Sequence, residues 1–394
     1  MKFIIIGIGN KKAHFSEELK SLFQKSTFFT GGKRHYDLVK DFLPKKQQWI
    51  FIKSPMQTLF DSYSEIEENI IVFASGDPLF YGFANTLKNA FPNAIFEIHP
   101  YFSSIHLLAN HFHLNKNDLE AVSVHGRDWS ELNFAISKQK TLIGVLTDSK
   151  NSPNAIAKRL LEYGYSNYKM FIGENIEGET EQFFELDLKS ASEKAFANLN
   201  CIILQKTENK TTYFGIPDTA FFGLEGRPNM ITKMPIRLLS LSLLDISNRK
   251  HLWDIGFCTG SISIEAKQQN PNLKISAFEK REECDLILDK NQKKFGVFGI
   301  DKYMGDFFEQ DLKNIEKPDT IFIGGHGGKL ENLLSILNSI LPKNGIIVIN
   351  AVKESSIETF KKSIGNLDFS LEKETTIQVE NHNPITLLKA IKTA

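Results

Sequence analysis

An acidic residue and two glycines follow an apolar run in the second half of the chain. Asp254, Gly256 and Gly260 have the spacing D-x-G-x-x-x-G, and Ser261 comes directly after them. The glycines let a backbone turn sharply and approach a ligand closely. A carboxylate at the start of such a loop repels a phosphate but suits an ammonium group. The pattern therefore favours an amino-acid-like cationic ligand over the pyrophosphate that a G-x-G-x-x-G loop binds.

A second carboxylate lies where a ribose-binding acid is expected. Glu279 ends the run Lys274 to Phe278, which alternates as a strand does. In nucleotide-binding sheets such an acid follows the glycine loop by about 20 residues, and Glu279 follows Gly260 at that distance. S-adenosylmethionine (SAM) has both an ammonium group and a ribose, so we expect SAM here. The alternative is a buried strand–helix turn that binds no ligand.

A glycine-rich loop with a central histidine, G-G-H-G-G, occupies residues 324–328. Its four glycines leave room for a large flat substrate. It also differs from the D/N-P-P-Y loop of enzymes that methylate amino groups on bases. His326 has a side chain suited to proton transfer, because the ordinary pKa of imidazole is about 6.5. The alternative is a loop histidine held by hydrogen bonds alone.

These residues lie at the ends of predicted strands. The second half alternates strands and helices, which predicts a doubly wound parallel sheet. We predict helices over 234–244, 281–295 and 329–341, and strands that include 274–278, 319–323 and 345–350. Ligands of such sheets bind at the carboxyl ends of the strands, where the loops above begin.

The first half also has apolar runs that end in small or charged residues. The run 2–6 ends in Gly7-Ile8-Gly9, and the run 69–75 ends in Ser75-Gly76-Asp77-Pro78. A hydroxyl pair, Ser103 and Ser104, starts a predicted helix. This pattern is typical of an α/β domain with a cleft, although G-D-P is also the chemistry of a plain turn.

Length and composition exclude several classes of protein. A chain of 394 residues suggests two or three domains. The net charge of zero disfavours nucleic acid as a partner. Three scattered cysteines form neither a metal-binding spacing nor a disulfide framework, and no apolar run has the length of a membrane span. We therefore expect a cytoplasmic protein with no metal and no membrane or nucleic-acid partner. The polar segment 206–214 predicts a linker between domains 1–205 and 215–394.

Residues 1–205 resemble the tetrapyrrole methylases, the class III SAM-dependent methyltransferases. The matching stretches are G-I-G at 7–9, G-G-K-R-H at 31–35, S-G-D-P-L-F-Y-G at 75–82, S-S at 103–104, V-H-G-R at 124–127, T-D at 147–148 and G-E at 173–174. Three of them resemble the CbiE branch, which methylates C-5 of a corrin precursor. The resemblance implies two α/β subdomains with SAM between them, bound near Gly7, Gly9, Ser75, Gly76, Asp77, Ser103 and Ser104. Tyr101 departs from the family, which usually has glycine there.

Residues 215–394 resemble the CbiT family, class I methyltransferases with a Rossmann-like doubly wound domain. The matches are G-I-P-D at 215–218, T-K at 232–233 with Arg237, D-I-G-F-C-T-G-S at 254–261, Glu279, G-D at 305–306, G-G-H-G-G at 324–328 and N-A at 350–351. The resemblance implies C-15 methylation and loss of CO2 from the C-12 acetate. The SAM-binding residues would be Thr232, Asp254, Gly256, Gly260, Ser261, Glu279, Asp306 and Gly324. Cys258 stands where the family has glycine, and His326 where it often has serine.

Together the two resemblances imply SAM as cofactor at two sites per chain and a homo-oligomer acting in cobalamin biosynthesis. The substrate would be a polycarboxylate tetrapyrrole of the precorrin type. Because cationic side chains orient carboxylates, we expect catalytic roles for Lys233, Arg237, Arg127 and Arg34. For His326 we expect a catalytic role in proton transfer. The alternative for the four cations is a solvated surface charge. Two other functions stay open: methylation of another macrocycle or of RNA, and SAM-dependent regulation without turnover.

Overall fold

The computed structural model describes residues 1–11, 13–211 and 213–394. The chain forms two compact units. The first comprises residues 1–132, 140–158 and 167–208, and the second comprises residues 133–139, 159–166 and 209–394. None of the helices in the described part of the chain has the length and apolar character that a membrane crossing needs.

The first unit begins with a five-stranded parallel sheet in the order β3-β2-β4-β1-β5. Its strands are β1 (Lys2–Ile8), β2 (Phe28–Gly31), β3 (Gln48–Phe51), β4 (Ile70–Ser75) and β5 (Ile95–His99). Its helices are α1 (Glu17–Gln24), α2 (Lys33–Val39), α3 (Met56–Ser64) and α4 (Phe83–Ala90). The central strands β1 and β4 are apolar on both faces, as a parallel sheet covered on both sides requires.

A second, mixed sheet completes the first unit in the order β6-β7-β10-β8-β9. Its strands are β6 (Leu119–Ser123), β7 (Leu142–Leu146), β8 (Tyr168–Glu174), β9 (Gln182–Asp187) and β10 (Asn200–Lys206). The helices along this part of the chain are α5 (Ser104–His111), α6 (Ser130–Ser137), α7 (Pro153–Glu162) and α8 (Leu188–Glu193). Residues 133–137 of α6 and 159–162 of α7 belong to the second unit. Strand β10 runs antiparallel to β7 and β8. The prediction missed β3, β5 and β9, which are edge strands, because their half-exposed residues lack a clear apolar pattern.

The second unit contains a seven-stranded sheet in the order β13-β12-β11-β14-β15-β17-β16. Its strands are β11 (His251–Ile255), β12 (Lys274–Glu279), β13 (Ile300–Met304), β14 (Thr320–Ile323), β15 (Ile346–Ala351), β16 (Phe369–Ile377) and β17 (Ile385–Lys392). Its helices are α9 (Met234–Leu243), α10 (Ser261–Gln269), α11 (Glu283–Phe295), α12 (Leu330–Ile340) and α13 (Glu354–Gly365). The central strand β11 packs Leu252 into one core cluster and Trp253 into another, and both are fully buried. The predicted α/β fold class is therefore confirmed.

The prediction ended the second sheet at residues 345–350, and this was wrong. Strand β17 pairs antiparallel with β15, and β16 pairs antiparallel with β17. Most of β16 is exposed, and the charged run Glu372-Lys373-Glu374 conceals its strand character in the sequence.

Residues on both sides of the predicted linker have defined contacts. Strand β10 includes Lys206, the first residue of that linker. Within the second unit, the Gln139 side chain accepts a hydrogen bond from the Lys210 amide and donates one to its carbonyl, at 2.6 and 2.7 Å. The same unit contains Tyr165, whose hydroxyl donates to the Gly296 carbonyl at 2.8 Å. The division into domains 1–205 and 215–394 stays a prediction.

Candidate functional site

A cavity of about 500 Å³ opens in the second unit where several parallel strands end. Its lining includes eight of the residues predicted for this half: Thr232, Asp254, Gly256, Ser261, Glu279, Asp306, Gly324 and His326. Because the ends of β11, β12 and β14 are adjacent in the sheet, residues far apart in the sequence meet at this edge.

The loop after β11 depends on three residues with positive φ angles, Gly256 at +79°, Cys258 at +53° and Gly260 at +73°. A Cβ atom at Gly256 would lie 2.8 Å from the Gly325 nitrogen, so glycine is needed where these two loops meet. Gly260 instead packs against Leu288, whose Cδ1 would lie 2.3 Å from an added Cβ. Gly260 therefore shapes the start of α10 and is not part of the cavity lining.

Cys258 occupies the position where the resembled family has glycine. The backbone accepts its side chain in the left-handed region, and the thiol donates to the Met230 carbonyl at 3.0 Å. Met230 also lines the cavity. The cysteine thus joins the glycine loop to the segment that precedes α9.

Asp254 carries an unsatisfied acceptor. Its side chain is fully buried, and Ser263 Oγ donates to Oδ2 at 2.6 Å. Among the described residues, Oδ1 has no hydrogen-bond partner. Burial raises the pKa of this carboxyl group to about 7. A buried acceptor that lines a cavity and lacks a partner is what a cationic ligand group would satisfy, so the site fits the ammonium of SAM.

Glu279 is held rigidly at the end of β12. Its carboxylate accepts hydrogen bonds from the backbone amides of Cys258, Lys280 and Arg281, at 3.0, 3.0 and 3.1 Å. These bonds attach the glycine loop to the neighbouring strand. The residue is buried and lines the cavity, and its role toward a ribose stays a prediction.

His326 lines the same cavity and has a nearly unpaired ring. Its Nδ1 is buried without a partner among the described residues, and its Nε2 lies 3.5 Å from Ser356 Oγ. Burial, together with the positive charge of Lys353, lowers the pKa of His326. The imidazole is therefore neutral near pH 7 and can accept a proton. Asp306, also in the lining, caps the following turn through the Phe308 amide at 3.0 Å.

The predicted role of Arg237 as a ligand for substrate carboxylates is wrong. The side chain is fully buried and forms ion pairs with Glu265 and Asp218. It also donates to the carbonyls of Ile216 and Thr232. Glu265 in turn accepts from the amide of Gly215 at 2.7 Å. With its donors engaged, Arg237 positions the segments around residues 216 and 232 and does not face a substrate.

Lys233 is partly exposed, and its Nζ lies 3.4 Å from Asn229 Oδ1. It does not line the cavity, but it directly follows Thr232, which does. Its role toward a substrate carboxylate stays a prediction.

The first unit contains its own cavity of about 640 Å³. The predicted residues in its lining are Gly9, Arg34, Ser75, Gly76, Asp77, Ser103, Ser104 and Arg127. Gly7 lies behind this lining. A Cβ atom there would be 2.2 Å from the Gly76 carbonyl oxygen and 2.8 Å from the Tyr101 nitrogen. Gly7 therefore lets β1 approach both loops and is not itself a contact surface for a ligand.

A cluster of polar groups surrounds Ser75. Arg34 Nη2 donates to Ser75 Oγ at 2.6 Å, and His35 Nε2 lies 2.8 Å from the same oxygen. Burial, with Arg34 alongside, lowers the pKa of His35 to about 4. Sequence reasoning did not select His35 or His125 as site residues, although both line the cavity and both belong to motifs it had singled out.

Tyr101, the departure from the class III pattern, fits without disturbing the serine loop. Its hydroxyl donates to Glu177 Oε1 at 2.9 Å, and Lys11 pairs with the same carboxylate at 2.7 Å. Ser103 still caps α5 by accepting from the His106 amide at 3.3 Å.

The α/β fold with a cavity at its strand ends, together with the family model, places the chain among the methyltransferases. The family model of the precorrin methyltransferase domain matches residues 222–394. A cobalt-precorrin-6B C(15)-methyltransferase (decarboxylating) from Salmonella typhimurium is 33% identical over 136 residues, which are 34% of this chain and 69% of that protein. This chain belongs to the family of decarboxylating precorrin methyltransferases.

Two further relatives extend the comparison. A precorrin-6Y C(5,15)-methyltransferase [decarboxylating] from Sinorhizobium sp. is 28% identical over 355 residues, 88% of this chain and 84% of that protein. A solved structure titled precorrin-6Y C5,15-methyltransferase, from Geobacter metallireducens, is 30% identical with a TM-score of 0.42 and covers 45% of this chain and 97% of that chain. The relatives from Sinorhizobium and Salmonella and the family model confirm the resemblance found in the sequence.

Proposed function

We propose that this chain methylates a corrin precursor of the precorrin-6B type at C-5 and C-15 and removes CO2 from its C-12 acetate. One observation carries the proposal. Each unit has its own cavity at the ends of its parallel strands, lined by all the residues predicted to bind SAM there except Gly7 and Gly260. The relative from Sinorhizobium, named for both positions, aligns with 88% of the chain. The proposal includes a homo-oligomer, which the resemblance implies, and a cytoplasmic location, which the few scattered cysteines favour.

In the second unit, Asp254 would bind the ammonium group of SAM and Glu279 the ribose. Bound SAM supplies an electrophilic methyl group. The unpaired Asp254 Oδ1 and the fixed orientation of Glu279 support these assignments. Gly256 and Gly324 line the cavity, and their missing side chains let the loops after β11 and β14 approach each other beside the ligand.

The protein's contribution to the reaction would be alignment and charge balance. Well-oriented reactants can lower a barrier by about 7–11 kcal/mol without an enzyme nucleophile. In the first unit, Arg127 lies over the Tyr81 ring at 5.3 Å, and Arg34 is fixed by Ser75, so both cations are oriented toward the cavity they line. Carboxylates on the substrate would pair with them.

The full-length chain provides the test. Isothermal calorimetry is expected to give two SAM sites per chain, which differ in affinity because the lining residues differ. Mass spectrometry of the corrin precursor after incubation with SAM is expected to show two added methyl groups and loss of one CO2. A single SAM site would contradict the two-site proposal. Methylation of RNA or of another macrocycle instead would show a methyltransferase with a different substrate. SAM binding without methylation would favour a regulatory function.

We predict that SAM binding to the second unit weakens below pH 7. Burial raises the pKa of Asp254 to about 7, and an ammonium group binds only the ionised carboxylate. Affinity should therefore be constant above this pKa and fall about tenfold per pH unit below it. Calorimetry between pH 5.5 and 8.5 measures this dependence. An Asp254→Asn chain should lack it, and a pH-independent affinity in the unaltered chain would contradict the assignment.

His326→Ala is expected to lower the rate of the decarboxylating C-15 reaction modestly and to leave SAM affinity nearly unchanged. The neutral His326 ring lines the cavity and could take up a proton near the substrate, but Asp254 and Glu279 would bind SAM without it. Single-turnover CO2 release and calorimetry measure the two quantities separately. An unchanged rate of CO2 release would mean that His326 has no catalytic role and is only a structural residue of the loop.

A further inference from the structure

Among the described residues, two histidines line the first unit's cavity. Their hydrogen bonds place the imidazole proton on Nε2 in one ring and on Nδ1 in the other. His35 lies near the N-terminus of α2, and His125 follows β6 in the V-H-G-R stretch. A neutral imidazole has one N–H and one bare nitrogen, and the partner of one nitrogen fixes the state of the other.

His35 presents a proton donor. The Gly32 amide donates to its Nδ1 at 3.2 Å, so Nδ1 must be bare. The proton therefore lies on Nε2, which donates to Ser75 Oγ at 2.8 Å. Since its pKa is lowered to about 4, His35 stays neutral and its lone pair is occupied. It orients Ser75 and cannot take up a proton from a substrate.

His125 presents a proton acceptor. Its Nδ1 lies 2.7 Å from the Thr147 carbonyl oxygen, which can only accept, so Nδ1 carries the proton. Nε2 is then bare, and no described residue donates to it. The loop that holds the ring is itself fixed, because Asn151 Nδ2 donates to the Val124 carbonyl and the Gly126 amide donates to Asp148, both at 2.8 Å.

Two carboxylates line the same cavity but are weaker candidates for this task. Glu177 is paired with Lys11 and Tyr101. Asp77 accepts from the Leu79 amide at 2.9 Å through one oxygen, and carboxylates as a class are much weaker bases than imidazole. A side chain with basicity near the working pH is the more effective general base.

We propose that Nε2 of His125 is the general base of the first unit's methylation, an inference that rests on the proposed function. The reaction replaces hydrogen by methyl at a conjugated ring carbon. Ring π electrons form the new C–C bond while the S–CH3 bond breaks and its electron pair stays on sulfur. The C–H electron pair then returns to the ring, and the proton passes to His125 Nε2. Because His125 is exposed, it can release this proton to water.

The kinetic test uses the full-length chain with SAM and a corrin precursor. His125→Asn keeps an N–H donor for the Thr147 carbonyl but lacks a base, and it should lower kcat for C-5 methylation roughly 100-fold or more. KM values for both ligands should change little. Imidazole in the buffer should restore part of the rate to His125→Ala. The matched control is His14→Gln, because His14 is exposed and does not line the cavity, so its rate should equal that of the unaltered chain.

A measurement without turnover tests the same assignment. Nitrogen-15 NMR of the histidine-labelled chain should show His125 with a protonated Nδ1 and a bare Nε2, and His35 with the reverse. A protonated Nε2 on neutral His125, or a His125→Asn chain with an unaltered kcat, would overturn the proposal. If the unaltered chain does not methylate C-5, the proposed function itself is wrong. His125 then has no methylation step to assist, even if its Nε2 is bare.

Discussion

Replacing Arg237 by methionine is expected to lower the free energy of unfolding of the second unit by about 3–5 kcal/mol. Arg237 and Glu265 are both buried, with side-chain exposures of 0% and 1%. Removing the guanidinium leaves the carboxylate of Glu265 without its counter-ion in a low-dielectric environment. It also leaves the carbonyls of Ile216 and Thr232 without these donors. The segments that flank the cavity should therefore loosen together.

Urea titration measures this loss, and hydrogen exchange of peptides from β11 and β14 assigns it to the second unit. The matched control is Lys233→Met, four residues earlier, because Lys233 is partly exposed and has one long hydrogen bond. Its effect on stability should stay within about 0.5 kcal/mol. Equal small losses in the two variants would contradict the positioning role of Arg237.

Asp254→Asn and Glu279→Ala are each expected to weaken SAM binding in the second unit by about 1.5–3 kcal/mol, roughly 10- to 150-fold. In both variants a charge-assisted hydrogen bond to the ligand is lost. C-15 methylation should fall accordingly, while C-5 methylation persists because the first unit has a separate cavity. Calorimetry and mass spectrometry of the product separate the two effects.

The Asp254 variant has a second signature. Burial of this carboxylate raises its pKa above the ordinary range, so its ionised form destabilises the fold at pH values above about 4 and fully so above about 7. Asparagine carries no charge and so removes this destabilisation. The variant should therefore unfold at the same or a higher temperature while it binds SAM more weakly. Asp301→Asn is the control, since Asp301 is an exposed residue of β13 and does not line the cavity. Lower stability with unchanged SAM affinity would mean a structural role instead.

The sequence by itself determined the parts of this protein that depend on local pattern. The apolar run at residues 69–75 predicted a strand, and β4 lies there with its apolar residues buried on both faces. The spacing of Asp254, Gly256 and Glu279 predicted a single cavity, because carboxyl ends of parallel strands share one edge of the sheet. Residue type and spacing therefore predicted where the cavity of the second unit lies.

The tertiary structure alone decided which polar groups are available to a ligand. Arg237 follows Lys233 in a stretch that resembles a substrate-binding motif, yet contacts with Asp218 and Glu265 engage it fully. His35 and His125 differ in tautomer only because one ring meets an amide N–H and the other a carbonyl oxygen. A sequence gives the donors and acceptors of each side chain, but partners distant in the chain decide which of them remain unpaired and face the cavity.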